Sequence, residues 1–320
     1  MGLAIPGCCP CEGGSSKGMG VDCAMTDMAS YKPRKTASCE FIEIRGLKCH
    51  LRKWGPADAP PLILLHGSRD CGATFQFMID AFLGDYQFIA PDWRGYGRTD
   101  WNPQGYWFQD YLADLDIVLD ALVPGVAVPI AGHSLGGQVA GIYSGVRPQR
   151  VSKLIALDAF GLVDSDPAET PDYLSKWITI WREGPEQSRP YATLAQMAER
   201  LIQTNRRLTL DKALFLAAES SRKRADGLLE WAFDPLHRAP FAVTHRKAEW
   251  AACMTRIEAP TLWLASGRVS RIDSEPGGLA ARAALVKNVV CHKVEDTSHN
   301  LHHDRPAEVA RIMEAFLKAG

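Results

Sequence analysis

Val128-Pro129-Ile130-Ala131-Gly132-His133-Ser134-Leu135-Gly136-Gly137-Gln138-Val139-Ala140 decides the fold. An apolar run ends at Gly132, a serine stands between two glycines, and a helical pattern begins at once. G-x-S-x-G between a strand and a helix is a nucleophile elbow. The bend is so tight that its serine takes a strained backbone conformation, and glycines at 132 and 136 leave room for it. The hydroxyl is thereby presented at the strand end, and the helix N-terminus beneath it favours a developing negative charge. A serine between glycines in an ordinary loop would lack both flanks, so Ser134 is the candidate nucleophile.

Outward from this point, short apolar runs alternate with longer helical stretches, the signature of a parallel sheet wrapped by helices. The runs are Leu62 to Leu65, Phe88 to Ala90, Val126 to Ala131, Leu154 to Leu157, Leu262 to Ala265 and Val289 to Val294. Ahead of them, Cys39 to Arg45 and Leu47 to Trp54, joined at Gly46, read as an antiparallel hairpin. The expected core is therefore an eight-stranded, mostly parallel α/β sheet over 37–162 and 258–320. Pro129 breaks the rule that central strands avoid proline, and implies a local bulge. Phe108 to Leu122 recurs at helical spacing, and Asp304 to Pro306 opens a closing helix through Phe316. The alternation stops between 163 and 257, where no strand pattern appears. Amphipathic stretches such as Leu194, Met197, Leu201 and Ile202, with Trp177, Trp181, Tyr191, Trp231 and Phe233, predict an all-helical insertion over the strand ends, a lid that lines a pocket.

Lys plus Arg (36) and Asp plus Glu (37) nearly cancel. No general field draws nucleic acid or an anionic membrane surface. Nothing approaches the ~20 apolar residues of a membrane helix. Five of the nine cysteines, Cys8, Cys9, Cys11, Cys23 and Cys39, fall in the first 39 residues, which is no disulfide framework. Met1-Gly2 invites myristoylation, yet Pro6 stands where that signal needs Ser or Thr. Residues 1–36 read as a disordered leader, or as sequence upstream of a start at Met25 or Met28. No secretory pattern is present, and the cytoplasm is the expected compartment. A homodimer is left open.

An acyl-transfer site needs two backbone donors aimed at the oxyanion. The amides of Ser68, in His66-Gly67-Ser68-Arg69-Asp70, and of Leu135 are the candidates. His66 reads as a structural brace of that loop, and Arg69 as a surface ion pair or a contact to a substrate carboxylate. The general base is His299, in Asp296-Thr297-Ser298-His299-Asn300, between the last strand and the closing helix. His302 and His303 follow closely, but no carboxylate stands at ligand spacing, so no metal site is expected.

His66-Gly67, Asp92-Trp93-Arg94-Gly95-Tyr96-Gly97-Arg98-Thr99, Gly132 to Gly137 and Ser298-His299 together resemble the α/β-hydrolase fold family, from about Cys39 to the end. Ala198-Glu199-Arg200-Leu201, leading to Asn205 and Leu208, is similar to the serine hydrolase-like proteins within it. The family usually places its acid after the seventh strand, where this chain has Val269, with Asp273 a few residues late. A branch typified by some haloalkane dehalogenases carries the acid after the sixth strand, and Asp158 falls on that position. The resemblance thus implies a triad of Ser134, Asp158 and His299, with Asp273 as the alternative acid. A serine nucleophile points to a small or medium hydrophobic carboxylic ester cleaved through an acyl-enzyme, without metal or organic cofactor. Carbon–carbon hydrolysis, perhydrolysis or a non-catalytic small-ligand receptor are the other expectations this fold allows.

Overall fold

The computed structural model describes residues 30–319 other than 162, 242, 269 and 270. The readings made at Met1 through Cys23, at Met25 and Met28, and at Val269 lie outside the described residues.

The chain begins with the hairpin β1 (Ser38–Ile44) and β2 (Leu47–Trp54), turned through Arg45 and Gly46, both at positive φ. β3 (Pro61–Leu65) leads to the short helix α1 (Gln76–Ile79), then β4 (Gln87–Pro91) and α2 (Phe108–Leu122). β5 (Val128–His133) enters α3 (Leu135–Val146), and β6 (Val151–Leu157) ends this half of the sheet. The insertion then contributes α4 (Thr170–Glu183), α5 (Leu194–Thr204), α6 (Leu210–Glu219), β7 (Ser221–Lys223), β8 (Leu229–Trp231) and α7 (Lys247–Met254). β9 (Thr261–Ser266), α8 (Gly278–Ala283), β10 (Val289–Val294), α9 (Leu301–Asp304) and α10 (Pro306–Lys318) complete the chain.

The main sheet has eight strands in the order β1-β2-β4-β3-β5-β6-β9-β10. β2 is antiparallel to both its neighbours, and every other pairing is parallel. β3, β5 and β6 are central, and their apolar runs are buried on both faces as parallel strands require. One face packs Trp93, Tyr111, Leu115, Val139 and Tyr143 against α2 and α3. The other packs Phe75, Met78, Val309 and Met313 against α1 and α10. The register of β5 against β6 shifts between Val128 and Pro129, so the proline sits at the bulge its presence implied.

Two expectations are corrected. The insertion is not helical throughout: β7 and β8 form a two-stranded antiparallel ladder. Residues 30–36, assigned to the leader, pack on the core. Tyr31 donates its hydroxyl to Asp80 Oδ2 at 2.8 Å, and the amides of Arg34 and Lys35 donate to the same carboxylate. The Tyr31 ring lies edge-on to Phe77 of α1 and Phe215 of α6, and its amide bonds the Asp211 carbonyl. This strap therefore touches both the core and the insertion. A buried ion pair, Arg52 with Glu219, joins β2 to the end of α6 as well.

Candidate active site

Ser134 lies between β5 and α3 with φ 50° and ψ −115°. A side chain at either flanking glycine would collide with backbone: a Cβ at Gly132 would stand 2.4 Å from the Gly136 carbonyl carbon, and one at Gly136 2.1 Å from the Leu65 oxygen. Only glycine lets the bend close this tightly, and the bend is fastened by the Ser134 amide on the Leu157 carbonyl at 3.1 Å.

Asp158 follows β6 immediately, also at positive φ (49°), which turns its carboxylate toward the neighbouring strand end. Oδ1 accepts the Ser266 amide at 2.9 Å, and Oδ2 bonds His299 Nδ1 at 2.6 Å. Burial works to raise the pKa of this carboxyl, but the His299 bond and the Ser266 amide outweigh it and hold it below the ordinary value. His299 is thus oriented through Nδ1, leaving Nε2 for the cavity. Asp273 lies in the short turn Arg271–Ser274, and His299 bonds Asp158 instead.

Ser134 and His299 line the same cavity, of about 1300 Å³. No hydrogen bond between their side chains is present among the described residues; such contacts are commonly long without substrate and tighten in the complex. Gly67 stands against the serine, since a Cβ there would be 3.3 Å from Ser134 Cβ. The next residue, Ser68, and Leu135 at the start of α3 both line a second cavity of about 110 Å³. Neither amide donates to a described residue.

His66 is the brace the sequence suggested. It is fully buried, its Nδ1 donates to the Gly67 carbonyl at 2.7 Å, and its Nε2 accepts the Trp93 amide at 2.9 Å. Arg69, at positive φ and exposed, lines the large cavity and forms no ion pair with a described residue. The large cavity is mostly polar, with Arg69, Arg189, Arg200, Glu199 and Gln196 in its wall. Trp177 and Trp181 line the small cavity instead, together with Tyr96 and Phe241. The aromatic lining expected of one pocket is therefore divided between two.

Three groups at the site escape sequence reasoning. Arg268, just after β9, places Nε and Nη2 3.3 Å from Asp158 Oδ2, and Nη2 3.2 Å from His299 Nδ1. No motif marks it. His133 donates from Nε2 to the His299 carbonyl at 2.9 Å and so holds the His299 backbone. Burial, with His299 nearby, pushes the His133 pKa down to about 3, so the ring is neutral. Asp70 lines the large cavity, and burial raises its carboxyl to about 6 against the opposing bonds from Thr74 and Cys71.

Residues 60–306 match the model of the alpha/beta hydrolase fold. The serine hydrolase-like protein of Danio rerio is 26% identical over 287 residues, covering 86% of this chain and 85% of that protein. Human serine hydrolase-like protein 2 is 27% identical over 287 residues, covering 83% and 90%. Among solved structures, the thioesterase domain from the curacin biosynthetic pathway superposes with a TM-score of 0.76 at 23% identity, covering 87% of this chain and 99% of that one. With the family model spanning most of the chain, and the sheet order and elbow in place, this chain belongs to the α/β hydrolase fold family.

Proposed function

We propose that the chain is a serine esterase in which Ser134 is the nucleophile, His299 the general base and Asp158 its orienting acid. The observation that carries this reading is the 2.6 Å bond between His299 Nδ1 and Asp158, built beside a serine on a strained elbow. An ionised Asp158 fixes the imidazole in the tautomer whose Nε2 is unprotonated, and stabilises the imidazolium that forms. Ser134 Oγ attacks the ester carbonyl as its proton passes to His299 Nε2. The amides of Ser68 and Leu135 receive the oxyanion. Collapse returns the proton to the leaving alcohol, and water activated by His299 hydrolyses the acyl-enzyme.

The two cavities refine the substrate. The small aromatic one, about 110 Å³, borders both proposed oxyanion donors and suits a short apolar acyl chain. The larger polar one accommodates a bulkier alcohol portion, with Arg69, Arg189 and Arg200 to meet its polar or anionic groups. The insertion, lying between β6 and β9 and supplying walls to both cavities, acts as the lid.

A fluorophosphonate probe is expected to label Ser134, and short-chain p-nitrophenyl esters to be turned over. Ser134→Ala abolishes labelling, and Ser134→Ala or His299→Ala lowers kcat by about 10⁴ to 10⁶. A protein that neither labels nor hydrolyses, yet is stabilised by a small ligand, would be a receptor on this fold.

A further inference from the structure

Beneath the elbow, Asp70, His133 and His302 converge, each offering one ligand atom within 4.8 Å of the others. They come from three places in the chain: the loop after β3, the end of β5 and the short helix α9. His133 is 3% exposed and His302 is fully buried. Nδ1 of both rings has no hydrogen-bond partner among the described residues.

The second nitrogen of each ring is already tied. His133 Nε2 bonds the His299 carbonyl, which can only accept, so its proton is on Nε2 and Nδ1 presents a lone pair. His302 Nε2 bonds the Thr74 hydroxyl at 3.1 Å, where His303 Nε2 also meets it at 2.7 Å. His303 Nε2 contacts the Thr74 carbonyl as well, so it is a donor. When His302 donates to the hydroxyl in the same way, its Nδ1 presents a second lone pair. Burying an unsatisfied polar nitrogen costs about 1–3 kcal/mol, and here two such atoms stand beside a carboxylate. Two imidazoles whose outer nitrogens are fixed by a carbonyl and a hydroxyl, with one carboxylate, make the second-shell arrangement of a metal-ligating pair. Gly67 matters here also: a Cβ would stand 2.9 Å from His133 Nδ1 and obstruct it.

We propose that Asp70, His133 and His302 form a site for a divalent transition metal of the zinc class, with Asp70 Oδ and the two Nδ1 atoms as ligands. Bonds of about 2.1 Å put tetrahedral ligand atoms roughly 3.4 Å apart, so binding draws the three side chains inward by about 1 Å. The fourth position faces the large cavity, which Asp70 and His133 line. Because His133 holds the His299 carbonyl, the ion stiffens the loop that carries the proposed base. No motif near His302 in the chain points to this cluster, because the carboxylate that joins the two rings comes from residue 70, in the loop after β3.

The test is metal binding by the full chain, stripped with a chelator and titrated with zinc or cobalt. Cys8, Cys9 and Cys11 are the obvious competing ligands, so a Cys8→Ser, Cys9→Ser, Cys11→Ser chain is titrated beside it. One equivalent of zinc is expected in both. Affinity falls roughly tenfold or more in Asp70→Asn and in His302→Phe, which keeps a ring against Phe75. Cobalt gives visible d–d bands of a four-coordinate nitrogen and oxygen site without thiolate charge transfer, a readout that stands even if a variant fails to fold. No bound metal, binding lost with the three cysteines, a thiolate band, or affinity untouched in folded Asp70→Asn and His302→Phe would each overturn the site.

Discussion

His299 bonds Asp158, and this yields the first prediction at the scale of the residue. Asp158 bonds His299 and a backbone amide, so Asp158→Asn is expected to lower kcat by about 10⁴ through loss of the productive imidazole tautomer, whereas Asp273→Asn leaves it unchanged. Ester turnover by the two purified variants decides it. The same carboxyl links pH to stability. Its folded pKa lies below its unfolded value near ~3.9, so its ionised form is favoured by folding. The stability it supplies is fully present above ~pH 4 and is lost as pH falls through the folded value. Urea unfolding of the unmodified chain and of Asp158→Asn from pH 3 to 7 should therefore show curves that converge toward the acid end. Curves that stay parallel would mean the carboxylate is not held as described. Ser134 and His299 were legible because each sits in a short motif with a fixed neighbour in the chain. Asp158 was legible only as one of two candidates, since its partner lies 141 residues away. Arg268 was not legible at all, because a guanidinium beside the Asp158–His299 pair follows from the path of one loop.

Among the elements, the elbow carries the sharpest prediction. Gly136→Ala places a methyl group 2.1 Å from the Leu65 carbonyl oxygen, inside a packed strand crossing that has no slack. The expected cost exceeds ~3 kcal/mol, read by urea unfolding, and a variant of ordinary stability would show the bend to be looser than described. The alternation of apolar runs with helical stretches located the parallel strands, and the hairpin pattern located β1 and β2; the signal is most continuous in β3, β5 and β6, which are buried on both faces. β7 and β8 left none. They are three residues each, Ser221–Lys223 and Leu229–Trp231, too short for a period to emerge and too polar to look buried. Their pairing is a product of tertiary context, with Tyr191 extending the ladder through Leu229. Pro129 shows the opposite case, a rule broken locally and accommodated by a register shift.

For the molecule as a whole, the strap at residues 30–36 joins two regions that the sequence treated separately. A polar Lys-Pro-Arg-Lys segment reads as linker by composition, yet its amides and Tyr31 supply three donors to the buried Asp80 carboxylate. Removing residues 1–36 is expected to destabilise the fold by about 1–3 kcal/mol, because among the described residues Asp80 then keeps only the Gln76 amide. Tyr31→Phe loses a smaller part, and both are measurable by chemical unfolding; no change in either would detach the strap from stability. Every helix among the described residues falls short of the length and apolarity of a membrane crossing. The unequal cavities on either side of Ser68 impose a sequence of events on the proposed reaction. The first product departs through the wide chamber while the acyl group remains wedged among the tryptophans. In the proposed reaction the second nucleophile would enter by the route just vacated, so added alcohols would compete there with water and the proposed esterase would carry out transesterification.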